Sequence, residues 1–256
     1  MLAVERRNQI VDLLTVQPRV LVSELAAQYG VTEETIRRDL EKLEKEGYVQ
    51  RSYGGAVGCD SGKMDLPNSL RRRKNAQAKE KIAQIVSALV QDGDHLLLDD
   101  SSTAYYVSKA LLAKQRLTVI TNSIDILSVL AGARGIQIIS TGGNLRVAGC
   151  GLTGCRAEET VRSYHVDRAI ISCKGFDMSR GFTDSTDASA QIKKTMMEHA
   201  KEVILAADSS KEGHVAFAQI GSWSQVNTLV TEQDPGEAWR EVLQRHGVAC
   251  LWKENR

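Results

Sequence analysis

The 256-residue sequence has no apolar run near the ~18 residues a membrane-spanning helix requires, so a span is excluded. Its opening residues, MLAVERRNQI, lack the apolar core of a secretory signal, and the expected compartment is the cytoplasm. Cysteine is sparse. The five residues Cys59, Cys150, Cys155, Cys173 and Cys250 are an odd set in a chain long enough to build its own core, which argues against a disulfide scaffold. Cys150 and Cys155 stand with four residues between them, but no second Cys/His pair at zinc-ligand spacing completes a site, so buried thiols are expected and no metal. The patterns G-x-x-x-x-G-K-[ST], H-E-x-x-H and G-x-S-x-G are all missing, and no cofactor or catalytic set is expected. The five histidines are scattered; His214 alone, close to Asp208 and Lys211, is a candidate for lining a pocket.

A strong charge excess is missing too. Net charge is +1, and residues 1–75 hold 13 Lys/Arg against 11 Asp/Glu. Any affinity for nucleic acid must therefore come from where particular arginines point, because bulk charge supplies none. What is present is ample foldable material. A chain that is 42% hydrophobic and 25% charged buries enough apolar surface to offset ordering entropy, and its length suits a small module joined to a medium one.

Residues 1–57 show three short helical patterns and a β-like ending. Ile10, Leu13 and Leu14 stripe a first helix over about 5–16, which Pro18 breaks. A second helix, about Ser23–Tyr29, turns Leu25 and Ala26 inward and stops at Gly30, which tolerates the left-handed conformation. Thr32 is placed to cap a third helix that opens with Glu33 and Glu34 at the positive end of its dipole and runs to about Glu46. Its apolar residues Ile36, Leu40 and Leu43 share one face, while Glu34, Arg38, Glu41 and Lys45 project from the other. Gly47 stops it. Tyr48–Ser52 alternates as a strand and Tyr53-Gly54-Gly55 makes a tight turn, so the module reads as a winged helix-turn-helix. The major groove admits a helix, and Arg bridges guanine acceptors or forks onto phosphate. The expected DNA contacts are Thr32, Thr35, Arg37 and Arg38, with Arg51 and Tyr53 touching backbone from the wing; pairing of the arginines with Glu34 or Asp39 on a solvated face is the structural alternative.

The run VSELAAQYGVTEETIRRDLEKLEKEGYVQRSYGGA resembles the N-terminal signature of the deoxyribose-operon repressor (DeoR) family, above all in T-I-R-R-D-L and the closing G-G-A.

Residues 58–75 read as a linker by composition, ending in a basic run, Arg71 to Lys74, that could follow phosphates or form salt bridges. From residue 76 to 256 helices alternate with apolar strands at about 95–99, 117–121, 136–140, 168–172, 202–207, 227–231 and 248–252. That rhythm predicts an α/β domain with a largely parallel sheet covered on both faces. Ligands of such sheets collect at the carboxyl ends of the strands. There the sequence places Asp99-Asp100-Ser101-Ser102-Thr103, Thr121-Asn122-Ser123, Thr141-Gly142-Gly143-Asn144, Lys174-Gly175 and Asp208-Ser209-Ser210-Lys211. Hydroxyls, glycines, an amide and lysines at one edge suit a phosphorylated polyol, although helix capping accounts for each Ser, Thr or Asn taken alone.

Over this half KNAQAKEKIAQIVSALVQDGDHLLLDDSSTA, LTVITNSIDI, STGGNLR and ADSSKEG resemble the same family's sensor domain, which is similar to the sugar-phosphate isomerase and CoA-transferase fold. The resemblance implies a phosphorylated sugar or related effector. It assigns Asp99, Ser102, Thr103, Thr121, Asn122, Ser123, Gly142, Gly143, Lys193, Asp208 and Lys211 to the pocket. Ser101, where the family usually has glycine, and Ser189, where it often has an acid, are departures that bear on which effector fits. The resulting expectation is a repressor of a carbohydrate-catabolism operon, binding double-stranded operator DNA as a homo-oligomer, dimer or tetramer, to match paired half-sites. Two other classes remain as alternatives: a sugar-phosphate isomerase using Asp99, Asp184 or Asp208 as base, and an architectural DNA protein without an effector.

Overall fold

The computed structural model describes residues 1–17, 19–45, 47–58, 68–146 and 149–253; Pro18, Glu46, Cys59 and the first part of the expected linker lie outside them. Two units are present, Met1–Lys74 and Asn75–Arg256. Among the described residues no helix is long and apolar enough to cross a membrane.

The first unit runs α1 (Ala3–Val16), β1 (Arg19–Leu21), α2 (Val22–Tyr29), α3 (Glu33–Lys45), β2 (Val49–Ser52), β3 (Gly55–Gly58) and α4 (Asn68–Arg73). Ile36, Leu40 and Leu43 of α3, Ile10 of α1, Leu25 of α2 and Val49 of β2 are all within 2% of full burial and form one core. Gly30 closes α2 at φ 63°, as expected. The hairpin β2–β3 is the wing, and β1 joins its inner edge to make an antiparallel sheet of order β1-β3-β2, an element the sequence analysis does not contain. Gly55 sits where the two backbones meet. A Cβ there would lie 2.0 Å from the Val20 carbonyl oxygen, so only glycine lets β3 lie against β1. Gly55→Ala is expected to cost about 1–3 kcal/mol of this unit's stability, read as a lowered urea midpoint by far-ultraviolet circular dichroism. An unchanged midpoint would show that β1 is dispensable.

One boundary differs from expectation. Residues 68–73, expected as linker, form helix α4, which buries Leu70 in the core of the first unit, and Arg73 pairs with Asp12 of α1 at 3.0 Å. A leucine amid three arginines carries too little periodic signal to mark so short a helix.

The second unit contains α5 (Ala76–Leu89), β4 (His95–Leu98), α6 (Ser102–Ala110), β5 (Leu117–Thr121), α7 (Ile124–Leu130), β6 (Ile136–Ser140), β7 (Asn144–Arg146), β8 (Gly151–Thr153), α8 (Cys155–Arg162), β9 (Val166–Ile171), β10 (Gly175–Asp177), β11 (Gly181–Asp184), α9 (Asp187–Glu198), β12 (Ala200–Ala206), β13 (Ala218–Gly221), β14 (Thr228–Val230), α10 (Glu237–Arg245) and β15 (Ala249–Leu251). All seven expected strands lie in one parallel sheet, ordered β15-β14-β12-β9-β4-β5-β6. Each strand is apolar on both faces because each face is covered. Leu96 and Leu98 pack with Ile82, Val86, Val107 and Ile126 from α5, α6 and α7, whereas Leu97 points to Val161, Ile192 and Leu243 from α8, α9 and α10. Full burial of such a side chain contributes roughly 1.5–3 kcal/mol, so the sheet's centre is the stable base of the unit. A small antiparallel sheet, β10-β11-β13, and the hairpin β7–β8 complete it.

Strand order fixes where a ligand has room. The chain builds outward from β4 through β5 to β6, then returns to lay β9 on the other side of β4 and continues outward through β12, β14 and β15. Connections therefore diverge between β4 and β9, the switch point where sheets of this kind form their ligand crevice, at the carboxyl ends of that pair.

Candidate functional site

In the first unit α3 is fastened from behind and open in front. Asp39 is 4% exposed and receives Arg6 Nε at 2.6 Å and Arg7 Nη1 at 3.3 Å, both from α1. It faces away from the arginines next to it, so the expected alternative of an Asp39 pairing with Arg37 or Arg38 is not what the fold does. Those two arginines are exposed and turn back one helical turn, Arg37 to Glu33 at 2.7 Å and Arg38 to Glu34 at 3.2 Å. Such pairs contribute little in water and are readily exchanged for phosphate or a base edge. Thr32 behaves as the expected cap: its Oγ1 accepts from Thr35 N at 3.3 Å and lies 2.9 Å from Thr35 Oγ1. In the wing, Arg51 donates through its backbone N at 2.9 Å and Nε at 2.7 Å to Glu44, and these bonds hold the Glu44 carboxyl below the usual carboxylate range. Tyr53, at the tip, is fully exposed. The six expected contacts thus lie on α3, at its start or on the wing.

At the crevice of the second unit the carboxylate of Asp99, just past β4, receives Ser101 N at 3.1 Å and Ser172 N, just past β9, at 2.9 Å. Lys193 of α9 completes it. Its ammonium reaches Asp99 Oδ2 at 3.0 Å, Asp184 Oδ2 at 2.6 Å and the Ser172 carbonyl at 2.8 Å, one acceptor for each proton. Burial alone would favour the neutral amine, but Asp184 and Asp99 hold Lys193 above its ordinary value. Burial would likewise raise Asp184, yet Lys193 and Lys174 hold its carboxyl below the usual range. Sequence reasoning finds Asp99, Lys174 and Lys193. It misses Ser172 as a partner, and places Asp184 only among possible bases.

A second group lies at the end of the next strand, β12. Asp208 is 1% exposed; burial pushes its carboxyl up, but Lys211, Ser210, Lys79 and Asn75 together hold it below the usual range. Burial pushes the Cys173 thiol up to about 12, against the pull of Lys193 and Lys211 and with Asp184 and Asp208 adding to it, so charges of both groups act on this one residue. His214 is exposed and packs its carbonyl and Cβ against Gly175.

Several expected residues serve the scaffold. Ser101 Oγ caps α6 by accepting Ala104 N at 3.0 Å, Ser123 Oγ caps α7 by accepting Ile126 N at 3.3 Å, and Thr121 Oγ1 donates to the Leu98 carbonyl at 2.8 Å. Ser102 and Thr103, buried in the first turn of α6, stand at the crevice with Thr103 Oγ1 3.5 Å from Ser172 Oγ. Asn122 Nδ2 donates to the Leu152 carbonyl at 3.0 Å, and its buried Oδ1 has no partner among the described residues. Gly142 and Gly143 lie beyond the edge strand β6, at φ 64° and 107°, where they turn the chain into the hairpin β7–β8. That hairpin covers the strand ends: Arg146 pairs with Asp100 at 2.9 Å, and a Cβ on Gly151 would lie 2.0 Å from Asp100 Oδ2. Ser189, one turn before Lys193 on α9, accepts the Thr186 hydroxyl at 2.8 Å and is spent on that cap.

Comparison with known proteins gives the same division. Residues 6–62 match the DeoR-like helix-turn-helix domain and residues 74–233 the DeoR C-terminal sensor domain. The chain is 42% identical over 244 residues to an HTH-type transcriptional regulator of Bacillus subtilis (strain 168), YulB, covering 95% of this chain and 94% of that one. It is 29% identical over 244 residues to the glycerol-3-phosphate regulon repressor of Escherichia coli (strain K12), covering 95% and 96%. Among solved structures, ribose 5-phosphate isomerase A of Methanocaldococcus jannaschii aligns with 54% of this chain and 55% of its own at 19% identity and a TM-score of 0.41.

Proposed function

This chain belongs to the DeoR family of helix-turn-helix regulators, and from that premise we propose that it represses a carbohydrate-catabolism operon under the control of a phosphorylated sugar. The observation that carries the effector half is the crevice between β4 and β9, where Lys174 and Lys211 border a floor of buried carboxylates and the α6 N-terminus. Cations and a helix N-terminus attract phosphate; carboxylates and amides take hydroxyls. A relative named as a glycerol-3-phosphate regulon repressor supports the same class of ligand. The other half is the exposed front of α3, carrying Thr32, Thr35, Arg37 and Arg38, with Arg51 and Tyr53 reaching backbone. Pairing of two copies would match two half-sites about one helical turn apart. The isomerase alternative loses two of its three candidate bases, since Asp99 and Asp184 are both held by Lys193 and only Asp208 is left to it.

The effector assignment is tested by thermal shift against inorganic phosphate, glycerol 3-phosphate, glucose 6-phosphate and ribose 5-phosphate. A true effector at a hundred times its Kd stabilises by about 2.7 kcal/mol, a rise of several degrees. A panel without any shift would remove the phosphorylated class. For the DNA half, Arg38→Ala should weaken binding to a duplex selected from a random pool by about 5- to 150-fold, equivalent to roughly 1–3 kcal/mol. Equal gel-shift midpoints for variant and parent would reject Arg38 as a reader.

A further inference from the structure

We propose that Asn75 is the positioning residue that ties the crevice loop Asp208–Lys211 to the two-residue joint, Lys74-Asn75, by which the second unit is connected to the first. The proposal rests on the two-unit reading above and adds the route by which events at one unit reach the other.

The joint is short. Helix α4 ends at Arg73 and belongs to the first unit; α5 begins at Ala76 and buries Ile82, Ala83 and Val86 in the second. Helical hydrogen bonding runs almost up to the joint on both sides, Lys74 N to the Leu70 carbonyl at 3.0 Å and Lys79 N to the Asn75 carbonyl at 3.1 Å. Between the two helices Asn75 has a left-handed backbone, φ 54°, ψ 38°, a conformation asparagine tolerates better than most residues.

The side chain of Asn75 reaches the crevice loop. Nδ2 donates to Asp208 Oδ1 at 2.9 Å and to Ser210 Oγ at 3.0 Å. The same Oδ1 accepts Ser210 N at 3.2 Å and the Ser210 hydroxyl, so the joint and the loop meet on one atom. Asp208 itself is buried and borders Lys211 and Lys79, but Asn75 is exposed, so its hold is exchangeable. A ligand hydroxyl that takes Asp208 Oδ1 competes with Asn75 and frees the joint. By reciprocity, fixing the first unit on DNA must alter the loop.

That reciprocity gives a test needing no effector. The full-length chain is combined with a duplex it selects from a random-sequence pool, and amide hydrogen exchange is followed at Ser210–Glu212. The parent is expected to change exchange there at least threefold when the duplex binds. Asn75→Gly keeps the left-handed backbone while deleting the amide, and should bind duplex with no loop response. Asn75→Asp sets carboxylate against carboxylate and should behave likewise; adding Asp208→Asn exchanges donor for acceptor and should restore the response. A purely structural role would lower Tm and leave the loop response intact. A parent loop indifferent to bound duplex, or an Asn75→Gly variant as responsive as the parent, overturns the joint alone. Failure to select any duplex overturns the DNA-binding reading, and the joint with it.

Discussion

Asp39→Ala is expected to remove about 3–5 kcal/mol from the first unit, enough to unfold much of it, because Arg6 would remain buried with no counter-charge. The loss comes less from the attraction forgone than from the Arg6 guanidinium left buried without its acceptor. The three tryptophans, Trp223, Trp239 and Trp252, all lie in the second unit, so two signals separate the outcomes. Far-ultraviolet circular dichroism should lose a helical fraction while the tryptophan fluorescence melt stays where it is, and duplex binding should vanish. Asp39→Asn keeps an acceptor and should fall between. A variant whose dichroism melt matches the parent's would mean that α3 is held by its apolar face alone.

Lys193→Met is the counterpart in the second unit. It strips Asp99 and Asp184 of the ammonium that bonds both, with Lys174 still acting on Asp184, and a loss of about 3–5 kcal/mol is expected at neutral pH. Acidification distinguishes this from ordinary packing damage. In the parent, Asp184 is held below its ordinary value of 3.8, so its contribution is complete above that value and drains only as the pH falls through the lower folded one. Lys193 is held above its ordinary 10.5, so its contribution is complete below that value and is lost only as the pH rises through the higher folded one. The parent's fluorescence melt should therefore be flat between about pH 7 and 5 with respect to this cluster. Without the lysine, burial dominates at Asp184, its carboxyl takes up a proton readily, and the variant should gain Tm over that same interval. A variant that loses Tm on acidification, as the parent does at lower pH, would show that Lys193 is not what keeps Asp184 ionised.

The seven-stranded sheet was legible because each strand is a continuous apolar run between helix-length segments, and burial on both faces demands such runs. Strands β1, β7, β10 and β13 were not, since three or four residues, often with glycine, show neither alternation nor a run. In the crevice, residue types at strand ends pointed to Asp99, Asp208 and Lys211, but partners remote in sequence did not follow from type. A helical signal for the buried charges was nonetheless present. Asp39 stands three after Ile36 and four before Leu43, Arg6 four before Ile10, and Lys79 three before Ile82, so each falls on an apolar face where a charge requires a counter-charge. Asn75 gave no such sign; its role depends on where β12 ends, which only the fold determines.

The separation of Asp99 from Lys193 also has a consequence for biosynthesis. At roughly 5–20 residues per second the ribosome adds Lys193 some 5–20 s after Asp99, whereas every residue of the first unit's core has been made before Asp99 appears. The DNA-reading half can thus mature on the nascent chain while the sensing half waits, its central strand β4 without its neighbour β9 and its carboxylate without a cation. Translational pausing within that interval should burden chaperones with the second half alone.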